Sequence, residues 1–378
     1  MKILFLFPHF LSPGGAANVV LKLAKALQAK GHQVEIFCAK VSADYITENA
    51  ELKFIQAHIP ASNSLLYWCL FPLWQYKINR LLENYKDYIF LPQVLPSNWW
   101  AWLYKRKNKN VKIVWYCHEP SAFIHSKAWI NAIPNWLMKI GAKMLNPLLK
   151  RIDISLERKN NFVVCNSQFT RAMYEKAYNR KGAAVIYPPL LIETTVPEKK
   201  KGNYIMTVGR LSKFKNIDLL IQAFRTVNKM FPQLQLVIVG DGEEKQQLID
   251  QVHELGIGNN VLFPGIVSQP DLVALYQKAK ITILCSVDEP FGLVPVESMM
   301  YSTPVIAHNS GGPKETIIHN ETGFLYKDSE DLIKFIATII SMDEEQYQKI
   351  QKQCIHHVKK YDLAKTISNL EEVFSIIS

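Results

Sequence analysis

Residues 281–297 read ITILCSVDEPFGLVPVE, an apolar run over 281–285, a polar turn holding Glu289, Pro290 and Gly292, and a second apolar run that carries Glu297. A short Ile-rich run bounded by turn residues predicts a buried strand, and a helix is expected to begin near Pro295. The turn then places the amides of Phe291, Gly292, Leu293 and Val294 at a helix N-terminus, where unpaired N–H groups face a ligand.

Working outward, the same alternation fills the chain. Strands are expected at 3–7, 33–37, 112–116, 162–165, 184–187, 205–208, 235–239, 261–263, 281–285 and 304–307. Stretches such as 19–28 and 219–230 between them carry apolar residues at helical spacing. Strands alternating with helices predict an α/β class with parallel sheets. At 378 residues the chain is long for one core, so two domains are expected. A charged stretch flanked by Pro197 and Gly202 divides them, giving 1–196 and 197–362. From its residues alone the last helical pattern, about 363–378, could stay with the second domain or return to the first.

Composition excludes several classes. Cys38, Cys69, Cys117, Cys165, Cys285 and Cys354 form no CxxC pair, which argues for free thiols in a reducing compartment rather than a disulfide framework or zinc site. The opening MKILFLFPHF resembles a signal peptide only until Pro8 and His9 interrupt its apolar run. No run approaches the roughly 20 apolar residues of a membrane span, so a cytoplasmic protein is expected. Residues 1–200 hold 27 Lys and Arg against 12 Asp and Glu, and residues 201–378 hold 17 against 21; all eight tryptophans lie within the first 136 residues. The two halves therefore have different tasks.

Candidate site residues cluster after the strands. Gly14 and Gly15 follow the first strand and open a helix, as an anion site would, although a glycine pair can also serve only a turn. Gly209, Arg210 and Lys215 follow the first strand of the second half, where ligands of open α/β sheets bind. Two cations there can clamp a diphosphate and stabilise the charge that develops as it leaves. Glu289 and Glu297 could be a paired acid and base, but eight helical residues span about 12 Å, against roughly 5 to 9.5 Å for glycosidase carboxylates. Separate roles fit better. His118 ends a strand in the first half.

These sets, with Val239-Gly240-Asp241-Gly242, Phe263-Pro264-Gly265, Thr303-Pro304-Val305-Ile306 and Gly311-Gly312-Pro313-Lys314-Glu315, resemble the retaining glycosyltransferases of family GT4. The likeness spans the second half and rests in the first on the glycine pair, His118 and Asn166-Ser167. It implies a GT-B fold, two Rossmann-like domains facing a central cleft, with the acceptor on the first and the nucleotide sugar on the second, and the final helix returning to the first. It implies that Arg210 and Lys215 hold the donor diphosphate, Glu297 the ribose, and Glu289 with the Phe291, Gly292, Leu293 and Val294 amides the sugar and phosphate. Gly15, beside Gly14, would add an amide, His118 would approach the sugar, and Ile266 would contact the base. No two aspartates stand two apart, so the D-x-D metal signature is missing and no metal or cofactor is expected beyond the nucleotide sugar.

The expected activity is metal-independent, retaining transfer of a hexose, with UDP-glucose favoured as donor, to a glycan or lipid-linked acceptor in polysaccharide or glycoconjugate synthesis. A GDP-mannose-dependent mannosyltransferase, or a nucleotide-sugar epimerase or hydrolase of the same fold, uses the same residues. A basic nucleic-acid-binding module would explain the charged first half, but it leaves Arg210, Lys215, Glu289 and Glu297 without a task; no nucleic-acid partner is expected. Lys105, Arg106, Lys107 and Lys109 with Trp129 and Trp136 are candidates for the acceptor or for an anionic membrane surface, at the inner face of the cell membrane. The same tryptophans could instead pack the core.

Overall fold

The computed structural model describes residues 1–11, 14–60, 65–126, 130, 136–190 and 201–377. Trp129 lies outside them. The chain divides into two compact units, Met1–Pro189 with Leu363–Ser378, and Leu190–Asp362.

The first unit is built on a seven-stranded sheet in the order β3-β2-β1-β4-β5-β6-β7. Its strands are β1 (Lys2–Phe10), β2 (Gln33–Val41), β3 (Lys53–Gln56), β4 (Ile89–Pro92), β5 (Lys112–Cys117), β6 (Phe162–Cys165) and β7 (Ala184–Val185), all paired in parallel. Strands β3 and β4 were not expected from the sequence. Each is only four residues long, and β4 ends on Pro92, so neither carries a long β-branched run.

The tryptophans of this unit are mostly core. Trp99, Trp100, Trp102 and Trp115 are buried in one cluster with Phe37, Tyr67, Phe90 and Tyr104. Every one of those four indole N–H groups has an acceptor: Asp153 Oδ1 at 2.5 Å, Tyr67 OH at 2.9 Å, Asn160 Oδ1 at 2.7 Å and the Gln93 carbonyl at 3.0 Å. Burying an indole costs little once its single donor is satisfied. The surface candidates Trp129 and Trp136 are not among these four. Trp136 differs, being 67% exposed at the start of the helix Trp136–Glu157.

The C-terminal helix Leu363–Ile377 belongs to this unit. It buries Thr366, Ile367, Leu370, Val373 and Phe374, a stripe at three- and four-residue spacing. Two hydrogen bonds add direction to that packing. Thr366 Oγ1 donates to the Tyr187 carbonyl at 3.1 Å, and His32 Nε2 meets Glu371 Oε1 at 2.8 Å.

The second unit has a six-stranded parallel sheet in the order β10-β9-β8-β11-β12-β13. The strands are β8 (Tyr204–Val208), β9 (Gln235–Val239), β10 (Val261–Gly265), β11 (Ile281–Leu284), β12 (Val305–His308) and β13 (Gly323–Tyr326). Strand β13, Gly-Phe-Leu-Tyr, was also unexpected, because it contains no β-branched residue.

Both sheets reverse their winding beside their first strand, between β1 and β4 in the first unit and between β8 and β11 in the second. Crossover helices leave the sheet in opposite directions at such a point, and a crevice opens at the strand C-termini. Gly14 and Gly15 follow β1, Gly209 and Arg210 follow β8, and the Glu289 turn follows β11. Topology thus brings the candidates of each unit to the edge where ligands of this architecture bind.

Candidate active site

In the second unit the turn after β11 is shaped by glycines that lie elsewhere in sequence. A Cβ on Gly312 would stand 2.4 Å from Phe291 Cα, and one on Gly311, at φ +67°, would stand 2.5 Å from the Glu289 carbonyl oxygen. The Gly312 N–H donates to that same carbonyl at 2.8 Å, and Asp288 N–H donates to Ser310 Oγ at 2.8 Å. The Gly311-Gly312 pair is therefore the backing on which the Glu289–Phe291 backbone lies.

The helix after this turn runs Leu293–Met300, two residues earlier than the expected start near Pro295. Gly292, at φ +88°, makes the reversal and caps it. Leu293 and Val294 are its first two residues, so their amides have no carbonyl one turn back.

Two of the charged candidates meet at this turn. Lys215 Nζ lies 2.7 Å from Glu289 Oε2, with side chains 27% and 24% exposed. Lys215 reaches it from a short turn, Lys213–Lys215, that ends at Asn216 in the left-handed region; Asn216 Nδ2 ties the turn to the Cys285 carbonyl at 3.2 Å. Arg210 is far more exposed, at 74%, and pairs with Glu243 at 3.1 Å. Glu297 has a different partner again, accepting from the Tyr276 hydroxyl at 3.0 Å. Burial and the Glu297 carboxylate both hold the Tyr276 phenol far above its ordinary range, so it stays a donor. The two glutamates thus have separate partners. Ile266, just beyond β10, is 67% exposed.

In the first unit Gly14 has φ −164°, extended backbone that any residue adopts, and a Cβ there would meet nothing within 4 Å among the described residues. The helix Gly15–Ala29 has no side-chain cap, leaving its first amides available.

His118 directly follows β5 and is 9% exposed. Its Nε2 lies 2.9 Å from Gln93 Oε1, and burial lowers its pKa to about 4. Ser167 is a helix cap, accepting from Thr170 N–H at 2.9 Å, while the buried Asn166 Oδ1 has no hydrogen-bond partner among the described residues. Tyr276 and Gln93 were missed by sequence reasoning; neither lies in a glycine- or charge-bearing motif, and a phenol twenty-one residues before its glutamate leaves no local signal.

Lys105, Arg106, Lys107 and Lys109 do not form one free cationic face. Lys105 donates to Asn161 Oδ1, and burial with the Lys159 charge lowers its pKa to about 8, whereas Arg106, Lys107 and Lys109 are exposed.

Two Rossmann-like units, each built on a parallel sheet, are the architecture of the GT-B fold. Residues 13–191 match the family model described as Glycosyltransferase Family 4, and residues 192–357 match that of Glycosyl transferases group 1. The chain is a GT4-type glycosyltransferase. It is 26% identical to human alpha-1,3/1,6-mannosyltransferase ALG2, over 89% of this chain and 87% of the relative. It is 25% identical to the Campylobacter jejuni N-acetylgalactosamine-N,N'-diacetylbacillosaminyl-diphospho-undecaprenol 4-alpha-N-acetylgalactosaminyltransferase, over 93% of each. Among solved structures, Anabaena HepE in complex with UDP and glucose matches with a TM-score of 0.79 at 22% identity, covering 99% of both chains.

Proposed function

We propose that this glycosyltransferase moves a hexose from a nucleoside diphosphate sugar to a hydroxyl of a glycan or lipid-linked acceptor, with retention of configuration and without a metal ion. The Lys215–Glu289 pair at the β8 and β11 edge carries the reading. Cleavage of the sugar–phosphate bond leaves negative charge on the diphosphate, and Lys215 with Arg210 supplies the opposite charge where a divalent cation otherwise would. Glu289 holds Lys215 over the strand edge, and the Leu293 and Val294 N–H groups donate to phosphate oxygens in this reading. Glu297, which accepts from Tyr276, takes the ribose hydroxyls in this reading. The acceptor hydroxyl attacks on the face the leaving diphosphate vacates, and its proton passes to that phosphate.

UDP-glucose is the first reading of the donor, supported by likeness to a protein solved with UDP and glucose. A mannose donor, GDP-mannose, is the second, favoured by the mannosyltransferase name of the human relative. A lipid-linked acceptor draws support from the diphospho-undecaprenol in the name of the Campylobacter relative.

A peripheral position at the inner face of the membrane belongs to the same reading. Among the described residues no helix is long and apolar enough to cross a membrane. The helix Trp136–Glu157 instead exposes Trp136, Ile140, Met144 and Leu148 at four-residue spacing, with Lys139, Lys143, Lys150 and Arg151 on the same helix. Its C-terminal turns are held to the unit by buried Asp153 and Glu157, which accept from Tyr178 at 2.7 Å and Tyr174 at 2.6 Å. Apolar and basic groups on one helix are the composition of an interfacial segment.

The test is a panel of nucleotide sugars assayed in EDTA. Release of nucleoside diphosphate with transfer to a lipid-linked or glycan acceptor is expected from one donor. Free sugar or an epimer as product would favour the hydrolase or epimerase, and dependence on Mg²⁺ or Mn²⁺ would overturn the metal-free reading.

A further inference from the structure

The Gln93 side chain is held from several directions. Its backbone N–H lies 3.2 Å from both the Leu6 carbonyl and Ser97 Oγ, and its carbonyl accepts from Trp115 Nε1 at 3.0 Å. Its side-chain Nε2 donates to the Leu91 carbonyl at 3.1 Å. A backbone carbonyl is only an acceptor, so the amide cannot be turned over without setting two oxygens against each other. The amide oxygen therefore faces His118 Nε2, at 2.9 Å, and a carboxamide oxygen is likewise only an acceptor. His118 must carry a proton on Nε2.

In the neutral ring one nitrogen donates and the other accepts, and the partner of the first decides which. We infer that Gln93 is a positioning residue that fixes His118 as the Nε2–H tautomer, making Nδ1 an acceptor for a hydroxyl of the bound sugar. Among the described residues Nδ1 has no protein hydrogen-bond partner. The inference rests on the expectation, implied by the GT4 resemblance, that His118 approaches the sugar. Within it, the role changes: His118 does not donate to the sugar or serve as a general acid, but receives a hydroxyl proton in a hydrogen bond. Burial keeps the ring neutral at physiological pH, so this acceptor is present throughout that range.

Long-range ¹H–¹⁵N correlation of His118 in the whole protein, without any ligand, reads the two ring nitrogens directly. The wild type should show a protonated Nε2 and a bare Nδ1. Gln93→Met, close in volume for a wholly buried site, should lose that preference and lower kcat about tenfold, the scale of losing an orienting partner. Gln93→Glu should keep the proton on Nε2 but put a carboxylate beside it, which favours imidazolium. Its acid limb in the rate profile should move to higher pH, with activity recovered as pH rises; a merely structural role would leave that limb in place. A bare Nε2 in the wild type, or a wild-type tautomer and kcat in folded Gln93→Met, would overturn the assignment. Wild-type turnover in His118→Ala would overturn the part that links Nδ1 to the sugar, while the donor site of the second unit, tested through Lys215, would stand.

Discussion

The strand edge of the first unit offers neutral, buried groups, and that of the second offers charged, water-accessible ones. Gln93, His118 and Asn166 are at most 9% exposed, whereas Lys215, Glu289 and Arg210 range from 24% to 74%. The net charges of the two halves run the other way. The half with 27 Lys and Arg against 12 Asp and Glu presents uncharged groups at its strand edge, and the half with 17 against 21 holds the cations. A charge is costly to bury and can be kept where water reaches it, so the Lys215–Glu289 pair stays partly exposed. A group that contacts hydroxyls needs direction more than charge, and burial supplies that. The overall charge of a half says where the protein is solvated or attracted, not where it reacts.

Removing the cations should break this contrast most visibly. Lys215→Ala is expected to lower turnover on the order of 10²-fold or more, with Arg210→Ala losing less because its side chain is mostly in water and its Glu243 pair is exposed. Arg210→Ala should not shift the unfolding midpoint much, since its exposed ion pair contributes little to stability. Near-wild-type rates in both, measured with the donor found in the panel, would remove the leaving-group role.

Acid should act on the buried side of the comparison. His118 is held neutral in the fold with a pKa of about 4, while the unfolded chain binds that proton near 6.5. The unfolded state therefore gains protons first as pH falls, and the stability present above about pH 6.5 is lost progressively toward pH 4, by up to about 3 kcal/mol. His357 in the second unit is depressed to about 4 by burial and the Lys360 charge and contributes with the same sign. Urea titrations at pH 7 and pH 4.5 should show the loss, and His118→Asn should show less of it; an equal loss in that variant would contradict the buried-neutral assignment.

A smaller effect is expected where the second unit orients one of its own charges. Tyr276→Phe removes the hydroxyl that holds Glu297, a hydrogen bond worth about 1 kcal/mol, so nucleotide binding should weaken several-fold by calorimetry with kcat little changed. The opposite division would move Glu297 from ribose binding to the chemical step.

The membrane contribution should be the most graded. Each basic residue near an anionic leaflet adds about 1 kcal/mol, so neutralising Lys139 and Lys143, or Arg106, Lys107 and Lys109, should reduce co-sedimentation with anionic liposomes in steps. Trp136→Ala should weaken binding even at high salt. No binding at low salt would refute the surface and leave the transferase untouched.

Much of this protein could be read from local pattern. The runs at 205–208, 235–239 and 281–285 become β8, β9 and β11 because a buried parallel strand needs a continuous β-branched or aliphatic run, and that need is written in consecutive residues. The glycine and charge motifs after them could be placed for the same reason, since a turn at a strand end has its own local chemistry. Strands β3, β4 and β13 could not, being four residues long and held by their neighbours in the sheet rather than by propensity. Composition also failed to separate the buried Trp99, Trp100 and Trp102 from the exposed Trp136, because an aromatic ring suits a core and an interface equally well. The tertiary structure alone decided that Gly312 backs Phe291, that Tyr276 holds Glu297 and that Gln93 faces His118. Periodicity records what a residue needs from its immediate neighbours along the chain, whereas which acceptor meets which donor across twenty or more residues depends on strand order and helix placement, and these exist only once the sheets have formed.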